Sequence, residues 1–307
     1  MAISNIDISV IIPAYNAQNT INSTVMSVLL QKSINIEIIV INDGSVDNTK
    51  NILENLHNKY KQIQVFNMDL NMGPFYCRQF GVNQSSGKYI LQLDADDSLR
   101  HQNVLYDLLT LTNDSPDIIH FWHQGVKING NIIENISAWG NLNVKTANNS
   151  NMLRLLVQGQ IHWLIHGKLI KRDTFVKAIH LLNDSRHLIY GDDEVLCIAI
   201  FSVASYYKGT AYVGYNFTQK EESVTGSKYS NINNIIKVIE DYFSARDLTQ
   251  RFLTERLFTI RNSITQDQET NLENLIKFND TLAITKVCQM YEERGLLTKS
   301  SKCDLYK

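Results

Sequence analysis

The chain has 307 residues, of which 44% are hydrophobic and 20% charged, a composition typical of a folded globular protein. Its formal net charge of -2 at pH 7 argues against a nucleic-acid partner, because binding many phosphates requires clustered basic residues. No apolar run approaches the roughly 20 residues of a membrane-spanning helix, and the amino terminus carries no basic leader. We therefore expect a cytoplasmic protein, and the Asn- and Ile-rich, Pro-poor composition indicates a bacterial one.

Strand and helix patterns alternate over residues 8–93. Near-continuous apolar strands separated by amphipathic helices indicate a parallel sheet covered on both faces. Since ligands bind such a sheet where its strands end, we expect a site formed by the polar residues at 13–16, 43, 69–73 and 94–97. The predicted elements are strands at 8–12, 36–41, 62–67 and 89–93, with helices at 19–31, about 52–60 and about 74–83.

Past residue 100 the elements follow a less regular order. The small polar residues at 223–230 indicate a domain boundary, and helical spacing resumes after them. The elements predicted before that boundary are a helix at 101–111, a buried strand at 117–122, a hairpin at 126–135 turning at Asn129-Gly130, helices at 149–158 and 191–202, and a strand at 211–217.

The fourth predicted strand ends in the acidic segment Leu93-Asp94-Ala95-Asp96-Asp97. Three carboxylates in four positions repel one another unless a cation or hydrogen-bond donors offset their charge. At a strand end, a divalent metal with oxygen ligands can do so, and a diphosphate can supply the remaining oxygens. A solvated acidic turn that caps the following helix explains the same residues without a metal.

Several motifs around this segment share one order and spacing with a known family. They are V-I-I-P-A-Y-N (10–16), I-N-D-G-S-V-D (41–47), N-M-G (71–73), R-Q-F-G (78–81), S-G-K-Y-I (86–90), H-G-K-L-I-K-R (166–172) and G-D-D-E-V-L (191–196). Together with L-D-A-D-D they resemble the family 2 glycosyltransferases of the GT-A fold. The resemblance is close over residues 8–100 and thin beyond about 226.

The resemblance implies an α/β catalytic domain over residues 1–227, with a Rossmann-like, mostly parallel sheet flanked by helices. Within it, residues 1–100 would form the nucleotide-binding half and residues 101–227 the acceptor-binding half. Residues 228–307 would add a helical carboxyl-terminal extension. The implied reaction is inverting transfer of a hexosyl or N-acetylhexosaminyl group from a UDP-sugar, with Mn²⁺ or Mg²⁺, to a hydroxyl of a glycan or a lipid-linked acceptor.

The resemblance also assigns the donor site. Pro13 to Asn16 would line the base pocket, where Asp43 would accept the imide N–H of uracil, which favours uridine. Asn71, Gly73 and Arg78 would flank the nucleoside. Asp94 would hold the ribose, and the implied metal ligands are Asp96, as the first choice, and Asp94. Pro13 as a strand stop, Asp43 as a turn residue and Arg78 as a surface ion pair are the structural alternatives. The full set of implied donor-binding residues is Pro13, Ala14, Tyr15, Asn16, Asp43, Asn71, Gly73, Arg78, Asp94, Ala95, Asp96 and Ser223.

The second acidic segment, Asp192-Asp193-Glu194, begins a predicted helix, where capping alone could account for it. In the family pattern the second acid of such a pair is the general base, which corresponds to Asp193. Asp192 stands where the family usually has Glu, so either aspartate could take the proton. A carboxylate among carboxylates has its pKa raised toward the range that suits a base.

The residues between the two acidic segments give weaker indications. His166-Gly167 replaces the family's usual Trp-Asn before Lys168, and nearby Trp163 could shape the acceptor site or belong to the core. His162 and His166 are spaced to bind a metal on a helix, although their neighbours indicate a strand or loop. Residues 219–225 resemble the flexible segment that closes over the donor, with Ser223 and Lys220 near the diphosphate.

Three questions stay open at this point. The basic residues among the apolar stripes beyond residue 230 could rest on an anionic membrane at the inner face of the plasma membrane, or mediate a homo-oligomer. A nucleotidyltransferase is a competing enzyme class, but residues 13–19 lack the glycine-rich basic loop that it would need. A non-catalytic sugar-nucleotide-binding protein is the remaining alternative, and two intact acidic segments speak against it.

Overall fold

The computed structural model describes residues 6–127, 131–133, 144–148, 150–219, 232–253, 288–290 and 292. The chain divides into two units, one within residues 1–219 and the other within residues 220–307. The predicted domain boundary at 227 lies between the described residues 219 and 232, so it stays a prediction.

The first unit alternates strands and helices in its amino-terminal part, as the apolar spacing predicts. The described strands are β1 (Ile8–Ala14), β2 (Ile36–Asn42), β3 (Ile63–Asn67), β4 (Tyr89–Gln92), β5 (Ser98–Leu99), β6 (Ile118–Lys127), β7 (Ile132–Ile133), β8 (Thr146–Asn148), β9 (Lys168–Lys171) and β10 (Tyr206–Gln219). The described helices of this unit are α1 (Ile21–Leu29), α2 (Thr49–Lys59), α3 (Pro74–Gln84), α4 (Val104–Thr110), α5 (Ser150–Val157), α6 (Arg172–Leu182) and α7 (Asp192–Val203).

All of these strands belong to one mixed sheet, ordered β3-β2-β1-β4-β9-β6-β10-β5, with β7 paired to β6 and β8 to β10. The first four strands are mutually parallel. Strand β9 is antiparallel to both β4 and β6, so β6 and its parallel neighbour β10 again run in the direction of β1. The carboxyl ends of β1 to β4, β6 and β10 therefore share one edge. The α/β prediction of a mostly parallel sheet flanked by helices is confirmed.

Pro13 lies inside β1 and does not stop it. The pairing of β1 with β2 continues through Pro13, opposite Ile41, whereas its pairing with β4 ends where Ile11 faces Gln92. Beyond Ile11 the strand has a partner on one side only, so a residue without an N–H group is tolerated there. The strand consequently ends at Ala14, and the prediction that proline terminates it is wrong.

The predicted hairpin is present, since β6 and β7 are antiparallel and Gly125 faces Ile133. Its turn residues, Asn129 and Gly130, lie outside the described residues. Strand β6 extends five residues past the predicted end at 122, and β10 begins five residues before the predicted start at 211. These long strands carry side chains beyond the sheet edge, next to the acidic loop after β4.

The second unit contains helix α8 (Ile232–Thr249), followed by a short 3-10 helix at Gln250–Phe252. Val238, Ile239 and Phe243 form its buried stripe. The predicted helical stripe at 257–264 lies outside the described residues. Within the described part of the chain, no helix is long and apolar enough to cross a membrane.

Candidate functional site

The loops after β1 and β2 are tied together at the carboxyl edge of the sheet. The Asn16 N–H donates to Ser45 Oγ over 3.0 Å, and Asn16 Oδ1 accepts the Val46 N–H over 3.0 Å. Asn16 itself has a φ of 48°, a left-handed conformation that asparagine tolerates better than most residues. Beside it, Tyr15 is half exposed and Ala14 is buried. The four residues predicted for the base pocket thus end one strand and form its loop, with Tyr15 open to solvent.

Asp43 joins the end of β2 to the loop that precedes α3. Its carboxylate is 3% exposed and accepts two main-chain hydrogen bonds, from the Met72 N–H at 2.6 Å and the Gly73 N–H at 3.0 Å. The adjacent Gly44 has a φ of 66°, and a Cβ there would lie 2.6 Å from the carbonyl carbon of Leu70. Asp43 is therefore a buried organiser of two loops; its contact with uracil stays a prediction.

Gly73 and Asn71, the other predicted nucleoside contacts on this loop, meet a segment from the acceptor half. Gly73 has a φ of 83° and precedes Pro74, the first residue of α3. Asn71 Oδ1 lies 3.1 Å from His187 Nε2, an exposed imidazole between α6 and α7. Sequence reasoning missed this contact because no local motif surrounds His187.

The acidic loop after β4 separates into exposed and buried carboxylates. Asp94, Ala95 and Asp96 are partly exposed, whereas Asp97 is 2% exposed. Asp97 accepts hydrogen bonds from the Tyr215 hydroxyl at 2.6 Å and the Thr218 N–H at 2.7 Å. Its pKa is raised well above the ordinary value by burial, and further by Asp94 and Asp96. Asp97 thus anchors the loop to β10, and only Asp94 and Asp96 are presented at the edge.

Arg78 lies between the two acidic segments. Its guanidinium NH2 donates to Asp94 Oδ1 at 2.9 Å and lies 3.7 Å from Asp193 Oδ1, while its Nε lies 3.6 Å from Asp192 Oδ2. The residue is 5% exposed, so the alternative of a surface ion pair is wrong. One buried positive charge on α3 serves three carboxylates, one after β4 and two at the start of α7.

The acidic pair on α7 is turned toward this arginine. Gly191, with a φ of 81°, occupies the N-cap position, so the aspartates are the first helical residues and not the cap. Burial raises the pKa of both Asp192 and Asp193, and the Arg78 guanidinium partly lowers it again. The Asp193 carboxylate also accepts the Ile165 N–H. Its side chain is 22% exposed against 10% for Asp192, so Asp193 is the more accessible of the two carboxylates. Its role as the general base stays a prediction.

Lys168 shapes the turn that holds Asp193. Its ammonium group is fully buried and donates to the main-chain carbonyls of His162, at 2.8 Å, and Leu164. The turn contains no helix, which confirms the strand-or-loop prediction, and His162 and His166 therefore do not form the alternative of a metal pair on one helical face. Among the described residues, no group of three His, Cys, Asp or Glu side chains could hold a metal by itself. Ser223 and Lys220 lie outside those residues.

Comparison with known sequences finds relatives over more than half of the chain. Residues 9–172 match the sequence profile of the family described as "Glycosyl transferase family 2". The Campylobacter jejuni "GalNAc(5)-diNAcBac-PP-undecaprenol beta-1,3-glucosyltransferase" is 23% identical over 241 residues, which cover 76% of this chain and 74% of that protein. The Bacillus subtilis "Minor teichoic acid biosynthesis protein GgaA" is 30% identical over 181 residues, which cover 56% of this chain and 38% of GgaA.

Comparison with solved structures gives the same fold. Staphylococcus aureus TarS 1-349 in complex with UDP-GlcNAc matches with a TM-score of 0.60 and 18% identity, covering 94% of this chain and 85% of that one. This similarity confirms the GT-A fold. Some relatives match over a small share of their length, such as 19% of a Rickettsia bellii glycosyltransferase.

Proposed function

The chain belongs to glycosyltransferase family 2, and from this premise we propose that it transfers a hexosyl or N-acetylhexosaminyl group from a UDP-sugar, with inversion, to a glycan or lipid-linked acceptor. The observation that carries the proposal is the position of Arg78 between Asp94 and the Asp192-Asp193 pair. Donor and acceptor must meet within bonding distance. An arginine that contacts both acidic segments supports one site in which Asp94 would face the donor and Asp193 would act as the base.

The carboxylates after β4 suit a divalent metal. Asp94 and Asp96 are partly exposed at the sheet edge, and carboxylate oxygens are the ligands that Mg²⁺ and Mn²⁺ prefer. Because the described residues form no group of three His, Cys, Asp or Glu ligands, the diphosphate of the donor would supply further oxygens. When bound, the ion would offset the charge that develops on the departing diphosphate.

The donor base lies at the neighbouring strand ends. Tyr15 offers a half-exposed ring beside the loop held by Asn16, and Asp43 holds the main chain at Met72 and Gly73. These residues suit the binding of a planar base at this position. The UDP-GlcNAc named in the TarS complex supports uridine as the nucleoside of the donor.

Asp193 is the general base of the proposed reaction. Its carboxylate takes the proton of the acceptor hydroxyl as the oxygen attacks the anomeric carbon opposite the diphosphate. Arg78 and the Ile165 N–H fix its orientation, while burial keeps its pKa above that of an ordinary aspartate, which improves it as a proton acceptor.

The names of two relatives indicate the range of acceptors. One names an undecaprenol-linked glycan and the other concerns teichoic acid. We infer that the acceptor is a bacterial glycan or its lipid-linked precursor, made at the inner face of the plasma membrane. Contact of the residues beyond 228 with that membrane, or with a second copy of the chain, is part of this proposal.

The proposal is tested by thermal unfolding of the full chain with nucleoside diphosphates, each with and without Mn²⁺ or Mg²⁺. Because a ligand that binds only the folded state raises its stability, we expect UDP with metal to raise the Tm more than UDP alone or CDP with metal. An Asp96→Asn variant should lose the metal-dependent part of the shift. A wild-type protein that UDP does not stabilise under any condition would contradict the proposal.

A further inference from the structure

Four rings from β6, β10 and the turn before β9 lie close together, and we call them the ring surface. They are His123, His162, His166 and Phe217. The His166 ring centroid lies 5.2 Å from that of His123 and 6.0 Å from that of Phe217, with the latter pair stacked at 22°. His162 interacts electrostatically with His123, and its Nδ1 accepts the Leu164 N–H at 3.1 Å. His123, His162 and Phe217 are partly exposed, His166 is buried, and Phe217 also packs against the hydrophobic core.

The ring surface lies between the two acidic segments. His166 stacks on Tyr215 at 4.9 Å, and the Tyr215 hydroxyl accepts the Asp94 N–H at 3.3 Å. On its other side, the residue before His166 is Ile165, whose N–H donates to the Asp193 carboxylate. A ligand on these rings would therefore contact the side of the site opposite the base pocket, next to the proposed general base.

The imidazoles of the ring surface are uncharged at neutral pH. Burial, and then the positive charge of Lys168, lowers the pKa of His162 to about 4 and also lowers that of His123. Burial lowers the pKa of His166 well below its ordinary value, with His123 and Lys168 adding to the effect. A neutral imidazole carries one hydrogen-bond donor and one acceptor, which match a sugar hydroxyl, and has little attraction for a phosphate.

The two cations nearest to these rings are directed elsewhere. Lys168 donates to the carbonyls of His162 and Leu164, and Arg78 faces the carboxylates of the two acidic segments. Within the described residues, the ring surface therefore presents ring faces and neutral hydrogen-bonding groups. A phosphate placed there would lose its hydration without gaining a charged partner.

We propose that the ring surface is the acceptor subsite and that it binds an uncharged sugar ring, not a phosphate-bearing polyol. The inference rests on the proposed glycosyltransferase function and narrows its acceptor. Sugar rings have one apolar C–H face that packs on aromatic rings and a rim of hydroxyls that exchange hydrogen bonds, so the Phe217 ring and the His123 imidazole match both features. His162 adds ring surface, since its Nδ1 is already bonded to the Leu164 N–H.

The test is saturation-transfer-difference NMR on the full chain with saturating UDP and Mg²⁺, which is diamagnetic and leaves the ligand signals sharp. The probes are octyl β-D-galactoside and octyl N-acetyl-β-D-glucosaminide, against a short poly(glycerol phosphate). We expect signals from the sugar protons of at least one glycoside and none above background from the phosphate polymer. Phe217→Ala should weaken glycoside binding about three- to tenfold. The matched control is Tyr106→Ala, a half-exposed aromatic on α4, which should leave it unchanged.

Phe217→Ala also removes packing contacts of the ring, so a second variant that keeps Phe217 is needed. His123→Lys adds a cation, so it should weaken glycoside binding and gain binding of poly(glycerol phosphate). Stronger binding of the phosphate polymer by the wild-type protein would overturn the inference, and so would normal UDP binding with no glycoside signal. Failure of UDP itself to bind would instead contradict the proposed function.

Discussion

Arg78 donates to Asp94 over 2.9 Å, and this ion pair links helix α3 to the acidic loop after β4. The arginine side chain is 7% exposed; the same NH2 group lies 3.7 Å from Asp193 and its Nε lies 3.6 Å from Asp192. One cation thus offsets the charge of three carboxylates, and both acidic segments share it.

Replacement of Arg78 by Met should destabilise the fold and weaken UDP binding together. Removing one partner of a buried charge network leaves its carboxylates uncompensated, which typically costs about 3–5 kcal/mol in the free energy of unfolding. Urea denaturation and calorimetric titration with UDP measure the two effects. The matched control is Lys50→Met, which breaks an exposed pair with Glu54 at 4.0 Å and should cost less than about 1 kcal/mol.

Replacement of Asp193 by Asn should remove transfer while leaving the donor bound. The amide keeps the shape of the side chain but does not accept a proton, so kcat should fall about 10²- to 10⁴-fold. The dissociation constant of UDP, measured by titration, should stay within about twofold. Asp192→Asn is the control. A larger loss of kcat in that variant would mean that Asp192, and not Asp193, is the general base.

On the acidic side of the pH profile, kcat should begin to fall at a pH above the pKa of an ordinary aspartate. Burial raises the pKa of Asp193, Arg78 opposes the shift and Asp94 adds to it. Since the base must be ionised, kcat should decline as the pH falls through this raised value and not first near the reference value of about 3.9. Steady-state rates from pH 4 to 9, with protein unfolding followed in parallel, measure the limb. A rate that stays constant down to pH 4.5 would contradict the assignment.

Replacement of Tyr215 by Phe tests how the acidic loop is anchored. The variant removes the hydroxyl that donates to Asp97 and accepts from the Asp94 N–H, and it leaves a buried carboxylate short of one donor. The loss should be about 1–3 kcal/mol in the free energy of unfolding. Metal-dependent stabilisation by UDP should also decline, because Asp94 and Asp96 lie on the loosened loop. Tyr106→Phe, on the surface of α4, should change neither quantity.

Gly81, the glycine of the R-Q-F-G motif, should prove structural. A Cβ at this position would lie 2.4 Å from Ile11 Cγ2 and 2.9 Å from Ile41 Cδ1, so α3 packs on β1 and β2 only without one. Gly81→Ala should cost about 1–3 kcal/mol in unfolding free energy, as overpacking does. The affinity of the folded fraction for UDP should be preserved. Gly159→Ala provides a comparison in which an added Cβ meets no atom within 4 Å, so its cost comes only from the left-handed backbone, with a φ of 70°.

The sequence predicts the first four strands and three helices because burial on both faces leaves a strong apolar pattern. It does not predict that β9 is antiparallel, since Leu169 and Ile170 look the same in either direction. It also leaves β9 and α6 unassigned. The four-residue strand β9 is too short to show a period.

The candidate site, too, can be predicted from the sequence only in part. Asp43, Asp94 and Asp96 follow strand ends in recognisable motifs, so their position at one edge follows from the topology of a parallel sheet. The approach of Asp193 to Asp94 does not, because Asp193 lies at the start of helix α7 and meets Asp94 through Arg78. The inward direction of Asp97 does not, because it depends on Tyr215, which lies 118 positions away along the chain. Contacts at such separations leave no local trace in a single sequence.

The two hydrogen bonds that Asp43 accepts from the main chain at Met72 and Gly73 have a consequence for donor affinity. They tie the loop after β2 to the loop after β3 within the folded chain itself. If these loops form the proposed base site, part of the entropy loss of ordering them occurs during folding, so nucleotide binding would lose less free energy to it.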